Sequence, residues 1–94
     1  MRVRWLQAAL DNLDAEAEYI SRDDPAAAAR VVTAIQRSIA QLAVHPAIGR
    51  PGRVPGTREL VVPDTPYIVP YRVRSYAVEI LRVFHGKRRW PPSF

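Results

Sequence analysis

The spacing of apolar residues changes period midway along the chain, and that change sets the kind of fold open to it. Leu6, Leu10, Leu13, Ala17 and Ile20 recur at steps of three and four, as do Ala28, Val32, Ile35, Ile39 and Leu42. Such steps align side chains on one face of an α-helix, so each stretch reads as an amphipathic helix with a face to bury. Asp24 is placed to cap the second stretch, and Pro25 stands at its first helical position, where a missing N–H costs nothing. The alanines that follow favour helix, and Pro46 stops it near Val44. The break between the two stretches, Ser21 to Asp24, is short, so the helices must run roughly antiparallel as a hairpin. Leu10, Leu13, Ile35, Ile39 and Leu42 are the residues expected to bury that hairpin against the rest of the chain.

The second half supplies what the hairpin covers. Ala47 to Gly56 holds three glycines and two prolines, which excludes regular structure and marks a loop. Beyond it Thr57–Val62, Tyr67–Arg74 and Ala77–Phe84 read as strands, joined by turns at Pro63-Asp64-Thr65-Pro66 and Ser75-Tyr76 into an antiparallel meander. Arg2–Trp5 alternates polar and apolar and suits a short first strand. The expected fold is α+β: an N-terminal strand and an αα-hairpin packed on a small, mainly antiparallel sheet of three to four strands, one domain over residues 1–94. Pro70 cannot donate to a ladder and implies an edge position or a bulge. The last strand is apolar on both faces, with Leu81 and Val83 on one and Val78, Ile80 and Phe84 on the other. The hairpin can cover one face, and a bound partner is expected over part of the second.

Charge is unevenly divided. Met1 to Ile48 carries five arginines against six acidic residues, whereas Gly49 to Phe94 carries nine basic residues against Glu59, Asp64 and Glu79. A basic half of this kind suits nucleic acid, an acidic protein or an anionic membrane. Cysteine is absent, which excludes disulfides and cysteine-held metals and suits a reducing compartment. With no secretory apolar segment and no membrane-length run, the expected location is the cytoplasm. No serine sits in a nucleophile motif, the glycines form no phosphate cradle, and His45 and His85 stand far apart in sequence. Neither metal nor cofactor is expected. Glu16 and Glu18, spaced by two, fall on different helix faces and read as solvated surface.

One cluster concentrates chemistry: Arg82, His85, Lys87, Arg88, Arg89 and Trp90, with Arg58, Arg72 and Arg74 on neighbouring strands. Histidine transfers protons near neutral pH, arginines hold phosphates and stabilise developing charge, and an indole stacks on an exposed base. These are the parts for metal-free RNA cleavage. The same residues also suit plain packing of His85 and Trp90 on the sheet edge, with the arginines pairing to a partner's acids. The residues alone leave both readings open.

In order and spacing the chain resembles the RelE/ParE toxin superfamily over essentially its whole length. The resemblance lies in the first strand, the hairpin with Leu13 and Ile20, and the phrase Leu42-Ala43-Val44-His45-Pro46-Ala47-Ile48-Gly49. It continues in Arg58-Glu59-Leu60, in Tyr67-Ile68-Val69-Pro70-Tyr71-Arg72-Val73, and in the closing run from Ile80 to Pro91 that contains His85-Gly86-Lys87-Arg88-Arg89-Trp90. Pro70 departs from the apolar residue usual in that strand. Two long helices, the His-Pro-x-x-Gly phrase and the His-Gly-x-x-x-Trp-Pro ending are closer to ParE, and Lys87 is the sole lysine where RelE-like nucleases carry a lysine-rich segment.

The ParE-like resemblance implies the toxin of a type II toxin–antitoxin system. Such a protein serves plasmid stabilization and growth inhibition by poisoning DNA gyrase, with no catalysis of its own. It is neutralised in a hetero-oligomer by a cognate antitoxin, ParD-like or other. Arg82, His85, Lys87, Arg88, Arg89 and Trp90 are then the candidate target-binding residues. The RelE-like alternative implies an mRNA endoribonuclease acting on the ribosome, with Arg58, Arg82, His85 and Arg88 as candidate catalytic residues. A third reading, a non-toxic nucleic-acid-binding module, predicts salt-sensitive binding to free DNA or RNA.

Overall fold

A computed structural model describes residues 1–94. Strand β1 (Arg2–Trp5) leads into helices α1 (Gln7–Ser21) and α2 (Pro25–Ala40), and a single 3-10 turn at Gln41–Ala43 closes the hairpin. The second half builds β2 (Arg50–Pro51), a two-residue strand inside the segment expected to be all loop, then β3 (Arg58–Val61), β4 (Tyr67–Arg74), β5 (Ala77–Ile80) and β6 (Phe84–His85). No helix is long and apolar enough to cross a membrane. Asp24 caps α2 by accepting the Ala27 N–H at 3.0 Å, with Pro25 in the first turn. Leu6, the residue before α1, has no side-chain cap; its N–H goes to the Ile80 carbonyl at 3.0 Å, so the helix starts directly from the sheet.

The sheet runs β1-β5-β4-β3-β2, with β6 returning to pair with β4. The meander is antiparallel, but β1 lies parallel to β5, Arg2 opposite Ala77 and Trp5 opposite Ile80. Both helices and strands β2 to β4 stand between these two strands in sequence, more than the dozen or so residues a parallel pairing needs. Leu13, Ile35, Ile39 and Leu42 pack with Leu60, Val62, Val69, Tyr71, Val78 and Ile80 in the core.

Leu10 departs from expectation, being 39% exposed while its neighbour Ala9 is fully buried. The buried stripe of α1 runs Ala9, Leu13, Glu16, a 3.6-residue face rotated from the one the leucines suggested. Leu10 overhangs the outermost strand and lines a groove there with Val3 and Trp5.

Pro70 resolves as a bulge-maker in an interior strand, not as an edge residue. It sits in β4 opposite Glu59 of β3 and is fully buried. The Leu81 N–H donates to the Pro70 carbonyl at 3.0 Å, and by the alternation of an antiparallel ladder Pro70 should return a bond to the Leu81 carbonyl. It has no N–H to give. The strand expected to run from Ala77 to Phe84 therefore stops at Ile80 and resumes as β6, where Phe84 and His85 pair with Ile68 and Tyr67. The released groups find other partners: Arg82 donates to the Leu81 carbonyl at 2.7 Å, and the Val83 N–H donates to Asn12 Oδ1 on α1 at 3.1 Å.

The apolar surface expected on this strand for a partner is likewise not there. Ala77 to Leu81 and Val83 are all buried within the chain, and Glu79 on the outer face is covered by Arg72 at 2.7 Å and Arg4 at 3.6 Å.

Ile39 lies in the core and is 2% exposed, so Ile39→Ala is expected to lower stability by about 2–5 kcal/mol. Leu10→Ala, at the open rim, is expected to cost about 1 kcal/mol or less. Urea unfolding of both variants checks the difference.

Candidate functional site

The break beside Pro70 decides where the basic tail goes. Once β6 has paired, the Gly86 N–H donates to the Pro66 carbonyl at 2.7 Å. A side chain at Gly86 would meet Ile68 Cδ1 at 3.0 Å and the Pro66 oxygen at 3.1 Å, so glycine is what permits this approach. The His85 carbonyl then gathers the tail, accepting from the Arg88 N–H at 3.1 Å and from Trp90 Nε1 at 3.2 Å. Trp90 packs on Phe84 at 4.9 Å, and the Arg53 guanidinium lies 3.5 Å over the indole. One face of the ring is therefore already stacked by the protein itself.

Between this tail and α1 lies a cleft of about 480 Å³ lined by Asn12, Glu16, Tyr19, His85, Arg88, Arg89 and Trp90 among others. Glu16 forms its floor. Its carboxylate pairs with Arg88 and accepts from the Tyr67 hydroxyl at 3.3 Å. Burial raises the Tyr67 phenol above its ordinary pKa; the Glu16 charge and hydrogen bond add to this, and Arg88 opposes it. The His85 ring stands edge-on to Tyr67 at 5.7 Å. Its Nδ1 accepts the Lys87 N–H at 3.2 Å, which leaves Nε2 to carry the proton of the neutral ring.

Of the residues singled out in the sequence, His85, Arg88, Arg89 and Trp90 share this cleft, while Lys87 is exposed beside it. Arg82 and Arg72 open instead on a second cleft, with Val54, Thr57 and Phe94. Arg58 points elsewhere again, donating to the Gly49 carbonyl at 2.8 Å and more weakly to that of Ala47. It braces the His-Pro-x-x-Gly phrase, as does Tyr71, whose hydroxyl donates to the Pro46 carbonyl at 2.8 Å and accepts the Gly49 N–H at 2.9 Å. A Cβ at Gly49 would sit 2.6 Å from that hydroxyl, which explains the glycine. The four residues proposed for catalysis thus do not converge: His85 and Arg88 are together, and Arg58 and Arg82 are not with them.

Glu16 is a correction. Its spacing from Glu18 predicts solvated surface, but it is 8% exposed, whereas Glu18 is open and pairs only with Arg22 at 3.4 Å. The signal was present: Glu16 stands three residues after Leu13 and four before Ile20, inside the apolar stripe. Tyr67 and Arg53 gave no comparable sign, because their roles depend on pairings across the fold. No group of three histidine or acidic side chains comes together as a metal site.

Comparison with known proteins places this geometry. A family model described as the ParE toxin of the type II toxin–antitoxin system parDE matches residues 3–90. The Y4kP protein of Sinorhizobium fredii is 54% identical over 90 residues, covering 96% of this chain and 93% of that protein. Toxin RelE2 of Caulobacter vibrioides is 36% identical over 87 residues, covering 93% and 97%. A solved structure of a chromosomal ParDE toxin–antitoxin system from P. aeruginosa superposes with a TM-score of 0.83 at 30% identity, covering 93% of this chain and 97% of that one.

The Tyr67–Glu16 contact makes a pH prediction. Tyr67 holds its proton more tightly folded than unfolded, so its contribution to stability is present below about pH 10 and is lost as pH rises through the folded pKa. Tyr67→Phe is expected to flatten the alkaline fall in melting temperature. Glu16→Gln is expected to bring the Tyr67 ionisation, followed by absorbance, back toward the ordinary phenol value.

Proposed function

The chain belongs to the ParE toxin family of type II toxin–antitoxin systems, and on that premise we propose that it halts bacterial growth by poisoning DNA gyrase while a cognate antitoxin keeps it silent. The observation that carries this reading is the dispersal of the arginines. Arg58 and Arg82 each hold backbone carbonyls away from His85. A nuclease needs phosphate-holding cations and a proton-transfer group within hydrogen-bond reach of one phosphodiester. A surface that jams a protein–DNA machine needs charge and shape on a rigid base. The tail from His85 to Trp90 meets the second requirement, anchored by β6, the His85 carbonyl and the Glu16–Arg88 pair.

A second reading has an observation of its own. The cleft brings Glu16, His85 and Arg88 together, with the buried Tyr67 phenol behind Glu16, and carboxylate, imidazole and guanidinium can cut RNA without a metal. In the structure both Glu16 oxygens are already engaged, so this chemistry requires a substrate phosphate to draw Arg88 away.

Expression without antitoxin, with gyrase-linked DNA breaks and messenger-RNA cleavage read in parallel, separates the two. On the gyrase reading His85→Gln keeps growth arrest and DNA breaks, and Arg88→Ala combined with Trp90→Ala loses both. On the nuclease reading His85→Gln slows RNA cleavage by about 10²–10⁴-fold. Circular dichroism of each variant confirms that it folds, since Trp90 packs on Phe84.

A further inference from the structure

The outer face of the sheet, turned away from the hairpin, is ordered in rows. Val3, Trp5, Val78, Ile80 and Tyr71 face the core, so the alternating residues Arg2, Arg4, Ala77, Glu79, Arg72 and Arg74 face outward. The register of β1, β5 and β4 aligns these into two rows, Arg4–Glu79–Arg72 and Arg2–Ala77–Arg74. In the first row a carboxylate sits between two guanidiniums, 2.7 Å from Arg72 and 3.6 Å from Arg4. Its hydrogen bond to Arg72 holds the Glu79 pKa below the usual carboxylate range.

The second row has the same flanking arginines but a methyl group in the middle. Arg2 and Arg74 are exposed, and the ion pairs of the chain involve Arg4, Arg22, Arg50, Arg53, Arg72 and Arg88, neither of these two. With strands about 4.8 Å apart, Arg2 and Arg74 stand roughly 10 Å apart at their backbones. That is the span Arg4 and Arg72 bridge around Glu79.

Beside this row lies the β4–β5 turn. Ser75 and Tyr76 both hold left-handed backbone, at φ 53° and 59°. A two-residue hairpin turn of this hand favours Asn-Gly, and a bulky residue there is strained. Tyr76 nonetheless stands at the tip, 91% exposed.

We propose that Arg2, Ala77 and Arg74 form a binding site for a carboxylate on an acidic segment of a partner protein. The partner's Asp or Glu lies over Ala77 as Glu79 lies between Arg4 and Arg72, and Tyr76 packs against the partner's neighbouring side chain. The carboxylate is the ligand because the adjacent row already holds one in that arrangement. An exposed pair of this kind is weak alone, so the site suits a segment carrying several acids, complementary to the net charge of +5. The inference does not rest on the gyrase reading; an antitoxin or a target protein can present such a segment.

The test is an NMR titration of the full chain at low salt with a hexaglutamate peptide, alongside inorganic phosphate and a short oligodeoxythymidylate. The Ala77 and Arg74 amides are expected to shift saturably with the peptide. Ala77→Glu supplies the missing carboxylate from within, so peptide binding is expected to weaken by about tenfold or more. If that variant does not fold, Arg2→Ser and Arg74→Ser give the same loss by removing the cations. Peptide affinity unchanged in these variants overturns the site. Tighter binding of the oligonucleotide than of the peptide at Ala77 also overturns it, in favour of a nucleic-acid surface. Shifts with phosphate but none with the peptide overturn it in favour of a small-anion site.

Discussion

A missing amide hydrogen organises this molecule. Because Pro70 cannot complete its bond to Leu81, regular pairing lapses over Leu81 to Val83, where only the Leu81 N–H still reaches β4. Buried backbone groups must be paired, and the partners available are Arg82 and, on the first helix, Asn12. That second bond ties α1 to the end of the sheet. Pairing with β4 resumes at Phe84 one residue out of step, three residues on this strand opposing Val69 and Pro70, and past His85, where β4 ends, the tail lies against α1. The cleft, the Glu16–Arg88 pair and the stacking of Trp90 all follow from that step.

Three buried glutamates then hold the pieces in place. Glu16 draws the tail to α1 through Arg88. Glu79 knits β1, β5 and β4. Glu59 clamps the loop before β3, receiving Arg50 at 3.1 Å, Arg53 at 3.2 Å and the Arg53 N–H at 2.9 Å. Since Arg53 also stacks on Trp90, the loop clamp reaches the tail. Removing one partner of such a pair leaves an uncompensated buried charge, which costs far more than the intact pair contributes. Much of the basic half is therefore internal scaffolding, and the arginines left over are few.

The hairpin, the bounds of β4 and both turns were legible because they depend on local spacing, capping and turn chemistry. The face of α1 was not: Leu10 and Glu16 exchanged expected places, since the phase of a stripe is settled by what packs against it. The parallel placement of β1 was not legible either, because alternation in Arg2–Trp5 says strand without saying which neighbour. Pro70 announced a defect, and only its partner strand revealed that the defect interrupts β5. In the candidate site, His85, Arg88, Arg89 and Trp90 were close in sequence and stayed close in space. Arg58 and Arg82 were grouped with them by residue type. A sequence shows a guanidinium but not which carbonyl it will meet.

The parallel pairing of β1 with β5 has a consequence for how the chain reaches this state. Helix α1 with α2, and β3 with β4 and β5, join segments adjacent in sequence, and such contacts close quickly. Residue 2 meets residue 77 across most of the chain, and contacts of such long sequence separation are expected to close last and slowly. Until it closes, β5 presents a bare edge with Val78 and Ile80 on it, a template for another chain. The N-terminal strand is thus the guard of that edge, and the interval before it docks is when crowding and concentration decide between folding and aggregation.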